Sequence, residues 1–247
     1  MIRVNHLSKV YGEFVAVSDV SFSADKGEVV GFLGPNGAGK TTTIRMLSTY
    51  MPPTSGVAEV AGFDVVTQSE QVRRSIGYLP ENPPLYGEMM VVEYLKFVAT
   101  IKGVSSQRLP EALDRVLQQC GLADVRRKLC SHLSRGYRQR VGLAQAIIHD
   151  PAVVILDEPT SGLDPKQIIQ IRELIGSLAE GRTVILSTHI LPEVTMVCSK
   201  VVIINQGRTV LEEQLSSLPS GRSLEEIFID CVTRTRADGP PVGDQAA

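Results

Sequence analysis

Residues Gly34–Thr41 read GPNGAGKT, a G-x-x-x-x-G-K-[ST] spacing. The apolar run Glu28–Leu33 (EVVGFL) precedes it, and residues 41–51, ended by Pro52-Pro53, follow it. Strand, glycine turn and helix in that order make a phosphate cradle. Gly34, Pro35, Asn36, Gly37, Ala38 and Gly39 let successive backbone N–H groups turn inward, and Thr42 continues the cradle into the helix. The helix N-terminus adds partial positive charge. Lys40 is expected to reach the β- and γ-phosphates of a nucleotide, and the Thr41 hydroxyl to ligate Mg²⁺.

Composition frames that site. The chain has 247 residues, 43% apolar and 21% charged, with a net charge of −2. This is the composition of a globular protein with one large domain or two small ones. The charge balance offers no global attraction to nucleic acid or anionic lipid. No apolar run approaches the ~18–20 residues that span a bilayer. The N-terminus lacks a signal-peptide stretch. Cys120, Cys130, Cys198 and Cys231 are widely spaced, without a C-x-x-C pair, and read as reduced, packed thiols.

Outward from the cradle, the first 34 residues alternate as short strands broken at Gly12 and Gly27. Further strands are expected at 56–61 and 75–79. The middle becomes helical, over 91–102, 109–120 and 138–149, so that a helical block from about 85 to 149 is inserted between strand-rich parts. After Pro151 strands and helices alternate again: a strand at 152–156, a helix at 166–179, and a strand at 183–187. A helix at 191–197 and a strand at 201–204 follow, and Gln206-Gly207 turns into a last strand at 209–211. The polar stretch from Thr233 reads as a disordered tail.

Four further motifs carry chemistry. Ala152–Glu158 (AVVILDE) is a buried strand that presents Asp157 and Glu158 at its carboxyl end, where open parallel sheets bind ligands. Asp157 can hold Mg²⁺ and Glu158 can act as general base toward water. Leu133–Arg140 reads LSRGYRQR, Pro159–Asp164 reads PTSGLD, and Ser187-Thr188-His189 follows the next strand. Taken in this order, the motifs resemble the nucleotide-binding domain of ABC transporters over roughly residues 1–230. LSRGYRQRVGLAQAIIHDP and GYLPE resemble the branch that serves ABC-2-type exporters, including drug-export, sodium-export and gliding-motility ATPases.

The resemblance implies an α/β fold: a P-loop NTPase core with a mostly parallel sheet, an N-terminal antiparallel β subdomain and an inserted helical subdomain. The domain would cover 1–232 and the tail 233–247. The resemblance also implies ATP and Mg²⁺. Tyr11, in KVYG, would stack on adenine. Lys40 and the 34–41 amides would hold phosphates, Thr41 and Asp157 the Mg²⁺. Glu158 would be the catalytic carboxylate and His189 its companion at the γ-phosphate. Ser134 and Gly136 would cap a nucleotide bound to a second subunit, and Asp164 would cross to it, so a homodimer or a heterodimer with a related ATPase is implied. The remaining partner would be a transmembrane permease of ABC-2 type, docked against 82–90 through residues such as Leu85, Tyr86 and Met89. The chain would then lie on the cytoplasmic face of the membrane, held only through that partner, and would bind no nucleic acid.

Two motifs depart from the family pattern. Arg135 and Tyr137 stand where LSGGQ has Gly and Gln, and Glu81 stands where most members have a Gln that senses Mg²⁺. A carboxylate can still ligate Mg²⁺. A soluble ABC ATPase acting on ribosomes or DNA is the alternative, but such relatives usually carry two nucleotide domains or a long coiled coil. No N-K-x-D guanine pattern supports a GTPase, and intact Lys40, Asp157, Glu158 and His189 argue against a hydrolysis-dead regulator.

Overall fold

The structure is a computed structural model that describes residues 1–219 and 221–237. Among them, ten strands form one sheet. Its centre is five parallel strands in the spatial order β9 (Lys200–Asn205), β3 (Val29–Leu33), β8 (Thr183–Thr188), β7 (Val153–Asp157) and β6 (Ile76–Leu79). β10 (Arg208–Gln214) runs antiparallel to β9 and meets β2 (Phe14–Ala24) at one parallel pair, Arg208 with Asp19. From β2 an antiparallel wing continues through β1 (Ile2–Tyr11), β4 (Ser55–Val60) and the short β5 (Phe63–Asp64).

The centre is parallel because its strands are apolar on both faces. Every residue of β3, β7, β8 and β9 is buried. Side chains alternate between two cores. Val154, Leu156, Val184 and Leu186 pack with the middle helices. Val153, Ile155, Ile185, Val202 and Ile204 join the wing and the α1 side.

Eight α-helices complete the described chain: α1 (Lys40–Leu47), α2 (Ser69–Ser75), α3 (Val91–Ile101), α4 (Leu109–Gln119), α5 (Arg135–Ile147), α6 (Pro165–Leu178), α7 (Leu191–Val197) and α8 (Leu224–Ala237). α3, α4 and α5 lie in sequence between β6 and β7 and share one core with α6. None is long and apolar enough to cross a membrane.

The short α2 and β5 were not expected from the sequence, several strand ends shift by a residue or more, and three larger differences have a clear physical cause. α1 stops at Leu47, before the prolines, because Thr49 takes a left-handed conformation (φ 61°) and the Tyr50 amide closes back on the Arg45 carbonyl at 2.9 Å. α5 starts at Arg135, three residues earlier than expected, because Ser134 is its N-cap. The disordered tail expected from Thr233 is corrected: α8 runs through it to Ala237. Leu224 and Ile227 are buried, and Phe228 and Cys231 pack beside them, against Leu33, Val194, Val201 and Ile203. That apolar stripe holds the helix, and its polar end rides on it. The rest of the expected tail, 238–247, lies outside the described residues.

Candidate nucleotide site

The loop between β3 and α1 forms as its sequence requires. Gly37 and Gly39 have φ of 79° and 99°, a region where a side chain would be strained. Gly39 caps α1, so the first helical N–H groups open toward the cleft. That cleft holds about 540 Å³ and is lined by Asn36–Thr42 along one side, with Glu81, Glu158, Ser161 and His189 across from it. Phe14 and Ala16 close the end near the β1–β2 hairpin.

Lys40 is buried. Its ammonium donates to the carbonyls of Gly34 (2.7 Å) and Pro35 (3.2 Å) and lies 3.7 Å from Glu158 Oε1. Burial pulls its pKa down, while Glu158 and Asp157 oppose that pull. The ammonium therefore sits at the loop mouth, with two carboxylates behind it.

Asp157 ends β7 and is 2% exposed. Burial raises its pKa, and the Ser187 and Thr41 hydroxyls pull the other way. Its Oδ1 is buried without a hydrogen-bond partner. An unsatisfied buried carboxylate oxygen beside a threonine hydroxyl is a donor set suited to a hard cation. No group of three or more His, Cys, Asp or Glu side chains among the described residues forms an all-protein metal cage.

Glu158 follows in a left-handed conformation (φ 48°), uncommon for a side-chain-bearing residue and frequent where backbone strain serves a site. Its amide donates to the Ser187 carbonyl at 3.0 Å, which joins the end of β7 to β8. Its carboxylate meets His189 Nδ1, with both oxygens at 3.0 Å. Glu81 is exposed and reaches the same cleft, accepting a hydrogen bond from Ser161 Oγ at 3.2 Å.

The fold thus gathers Lys40, Thr41, Asp157, Glu158, His189 and Glu81. It does not gather every expected residue. Ser134 Oγ accepts from the Tyr137 amide at 3.5 Å, Gly136 is buried against the Gln167 side chain, and Asp164 caps α6 by accepting from the Gln167 amide at 2.9 Å. These three lie together at the facing N-termini of α5 and α6, outside the cleft lining. Tyr11 is also outside the lining: it is 45% exposed, and its hydroxyl donates to Met51 Sδ at 2.8 Å. Phe14, its partner across the hairpin, is 67% exposed and does line the cleft. Reading Tyr11 alone missed it; the tight Gly12-Glu13 turn was the available signal.

Arg135 is exposed, and its guanidinium lies over Gly162, where an added Cβ would fall 2.5 Å from it. The residue that departs from the signature therefore packs on the loop after β7.

The sequence comparisons give this geometry a family. A profile described as ABC transporter matches residues 17–161. The chain belongs to the ABC transporter family. A second profile, described as AAA domain, putative AbiEii toxin, Type IV TA system, matches 130–196. The chain is 41% identical to the bacitracin transport ATP-binding protein BcrA of Bacillus licheniformis, over 86% of this chain and 69% of that one. It is 37% identical to the ABC transporter ATP-binding protein NatA of Bacillus subtilis, over 86% and 87%. The structure of an ATP-binding subunit of an ABC transporter superposes with a TM-score of 0.85 at 32% identity, covering 94% of this chain and 99% of that one. CbiO1 of Clostridium perfringens, part of the ABC transporter complex cbiONQ, gives 0.80 at 26% identity, covering 96% of each. This ABC chain has the P-loop NTPase fold and is an ATP-binding, ATP-hydrolysing subunit.

Proposed function

We propose that this ABC subunit hydrolyses MgATP in the 34–42 cleft and drives export through a separate transmembrane permease of ABC-2 type. The observation that carries the reading is the convergence of Lys40, Asp157, Glu158 and His189 at the carboxyl ends of β3, β7 and β8. The loop amides and Lys40 bind the phosphates. Thr41 and Asp157 would hold Mg²⁺, with Glu81 at the rim, and the ion when bound would neutralise charge at the phosphate oxygens. Glu158 takes the proton from the attacking water, and His189, hydrogen-bonded to it, orients that carboxylate and faces the terminal phosphate.

A transport role is supported by relatives such as BcrA, named for bacitracin transport; export and the ABC-2 permease type rest on the resemblance of LSRGYRQRVGLAQAIIHDP and GYLPE to that branch. Docking is supported by the exposed rings of Tyr86 and Phe97, which meet at 5.6 Å, and by the exposure of Met90 and Ile101 at the two ends of α3. Leu85 and Met89, expected there, instead pack partly into the core. Dimerisation is supported by the separation of Ser134, Gly136 and Asp164 from the cleft: the N-terminus of α5 is free to meet a nucleotide held by another chain. The chain is then peripheral, on the cytoplasmic side, held through the permease.

The test is turnover and assembly together. Glu158→Gln is expected to cut ATP hydrolysis by roughly 10²–10⁴-fold, the span of general-base contributions, while ATP binding persists and the chain elutes as a dimer with MgATP. Undiminished turnover would overturn the assignment of Glu158. Purification from native membranes in mild detergent is expected to bring down a polypeptide with several apolar spans. A chain recovered without any such partner would overturn the transport reading while leaving the ATPase intact.

A further inference from the structure

Glu193 is 1% exposed, at the first turn of α7, away from the cleft lining. No basic side chain among the described residues forms an ion pair with it. A carboxylate buried that deeply without a cation is costly unless hydrogen bonds replace its water. Both of its oxygens are committed. One accepts from the Thr160 hydroxyl, the other from the Thr188 hydroxyl at 2.6 Å.

Those two threonines flank the reacting pair. Thr160 lies two residues past Glu158, in the loop that carries its left-handed backbone. Thr188 immediately precedes His189. Because its hydroxyl donates to Glu193, its oxygen is left to accept, and it does so from the Ile190 amide at 3.1 Å. One hydroxyl thus fixes the chain on both sides of His189. The two loops are otherwise joined by the Glu158 amide to the Ser187 carbonyl and by the Glu158–His189 contact itself. The carboxylate gives each hydroxyl an oxygen of its own, which an amide of the same shape does not.

We propose that Glu193 is a positioning residue for ATP hydrolysis: it straps the loop after β7 to the end of β8 and so holds Glu158 and His189 in register. The proposal rests on the assignment of Glu158 and His189 to the hydrolytic step. Glu193 is buried and lies outside the cleft lining, so its removal acts on kcat rather than on ATP affinity.

The test compares Glu193→Gln, Thr160→Val, Thr188→Val and Thr188→Ser in the full chain. ATP turnover is measured alongside binding of a non-hydrolysable ATP analogue and thermal unfolding. Glu193→Gln keeps the volume but offers one oxygen and an unwanted N–H. It is expected to lower kcat about tenfold or more, in line with the sensitivity of reactive geometry to small displacements. KM and analogue affinity are expected to stay within about twofold, since the phosphate loop is untouched. Thr188→Val is expected to do the same, and Thr188→Ser to recover most of the turnover. The double variant Glu193→Gln/Thr188→Val is expected to lose no more than the worse single one. Unchanged kcat in Glu193→Gln overturns the proposal, and so does a fall in Tm and affinity with kcat kept. Should Glu193→Gln fail to fold, the two valine variants decide on the same criteria. Glu158→Gln run in parallel separates the failures. If it retains turnover, the site assignment is wrong. If it is dead while Glu193→Gln is fully active, only the strap is wrong.

Discussion

At the residue scale, adenine recognition depends on which ring meets the base. Tyr11 sits opposite Phe14 in the hairpin register, yet only Phe14 borders the cleft, while Tyr11 is tethered to Met51. Stacking on an aromatic contributes about 1–3 kcal/mol per base. Phe14→Ala is therefore expected to weaken ATP binding roughly 5- to 150-fold and to leave inorganic triphosphate binding unaltered, as read by calorimetric titration of each. If Phe14→Ala is silent and Tyr11→Ala carries the loss, the base rests on the other ring. Lys40 belongs to the same scale. Its ammonium is held by loop carbonyls and backed by Glu158, so Lys40→Ala is expected to reduce turnover below detection in a phosphate-release assay. Tyr11 and Lys40 were both named from sequence, but only Lys40 was placed. Its position follows from a local motif, whereas the Tyr11 ring depends on Met51, 40 residues away.

At the element scale, the two helices that meet outside the cleft are coupled through Arg135 and Gly162. Gly162 has φ 66° and lies under the guanidinium. Gly162→Ala adds left-handed strain of about 1–2 kcal/mol and pushes Arg135 aside. A melting temperature lower by roughly 2–8 °C is expected for a chain of this size. The double variant Arg135→Gly/Gly162→Ala is expected to recover only part of it, because removing the guanidinium relieves the crowding but not the backbone. Full recovery would place the whole cost in the contact. The same scale explains the boundaries that the sequence left open. α1 ends at a left-handed Thr49, which no residue preference announces, and α8 persists through Thr233 because Leu224 and Ile227 are buried on the strand layer.

At the scale of the whole molecule, acid stability carries a signature of burial. His149 closes the helical block: its Nε2 donates to the Ile76 carbonyl at 3.0 Å, and its Nδ1 is buried without a partner. Burial, with Lys102 nearby, pushes its pKa down from 6.5 to about 4. Between those values the unfolded chain binds a proton that the folded chain refuses, so stability from this residue is complete above about pH 6.5 and is lost as pH falls toward 4. At about 1.4 kcal/mol per unit, the loss is at most about 3 kcal/mol. His149→Gln is expected to flatten the decline in urea-unfolding free energy over that window. A slope equal to that of the unaltered chain would show that His149 is protonated without cost.

The sequence by itself determined the phosphate loop, the carboxylates after β7 and the parallel core, because each rests on neighbours in the chain: glycines at fixed offsets, or unbroken apolar runs that only a sheet covered on both faces can bury. Only the tertiary structure decided that Phe14 borders the cleft, that Arg135 covers Gly162, and that Glu193 joins Thr160 to Thr188. Those relations pair residues far apart in sequence. The crossovers between β7, β8 and the helices bring them together, and a buried acid at the start of a short helix looks the same in sequence as a solvated one.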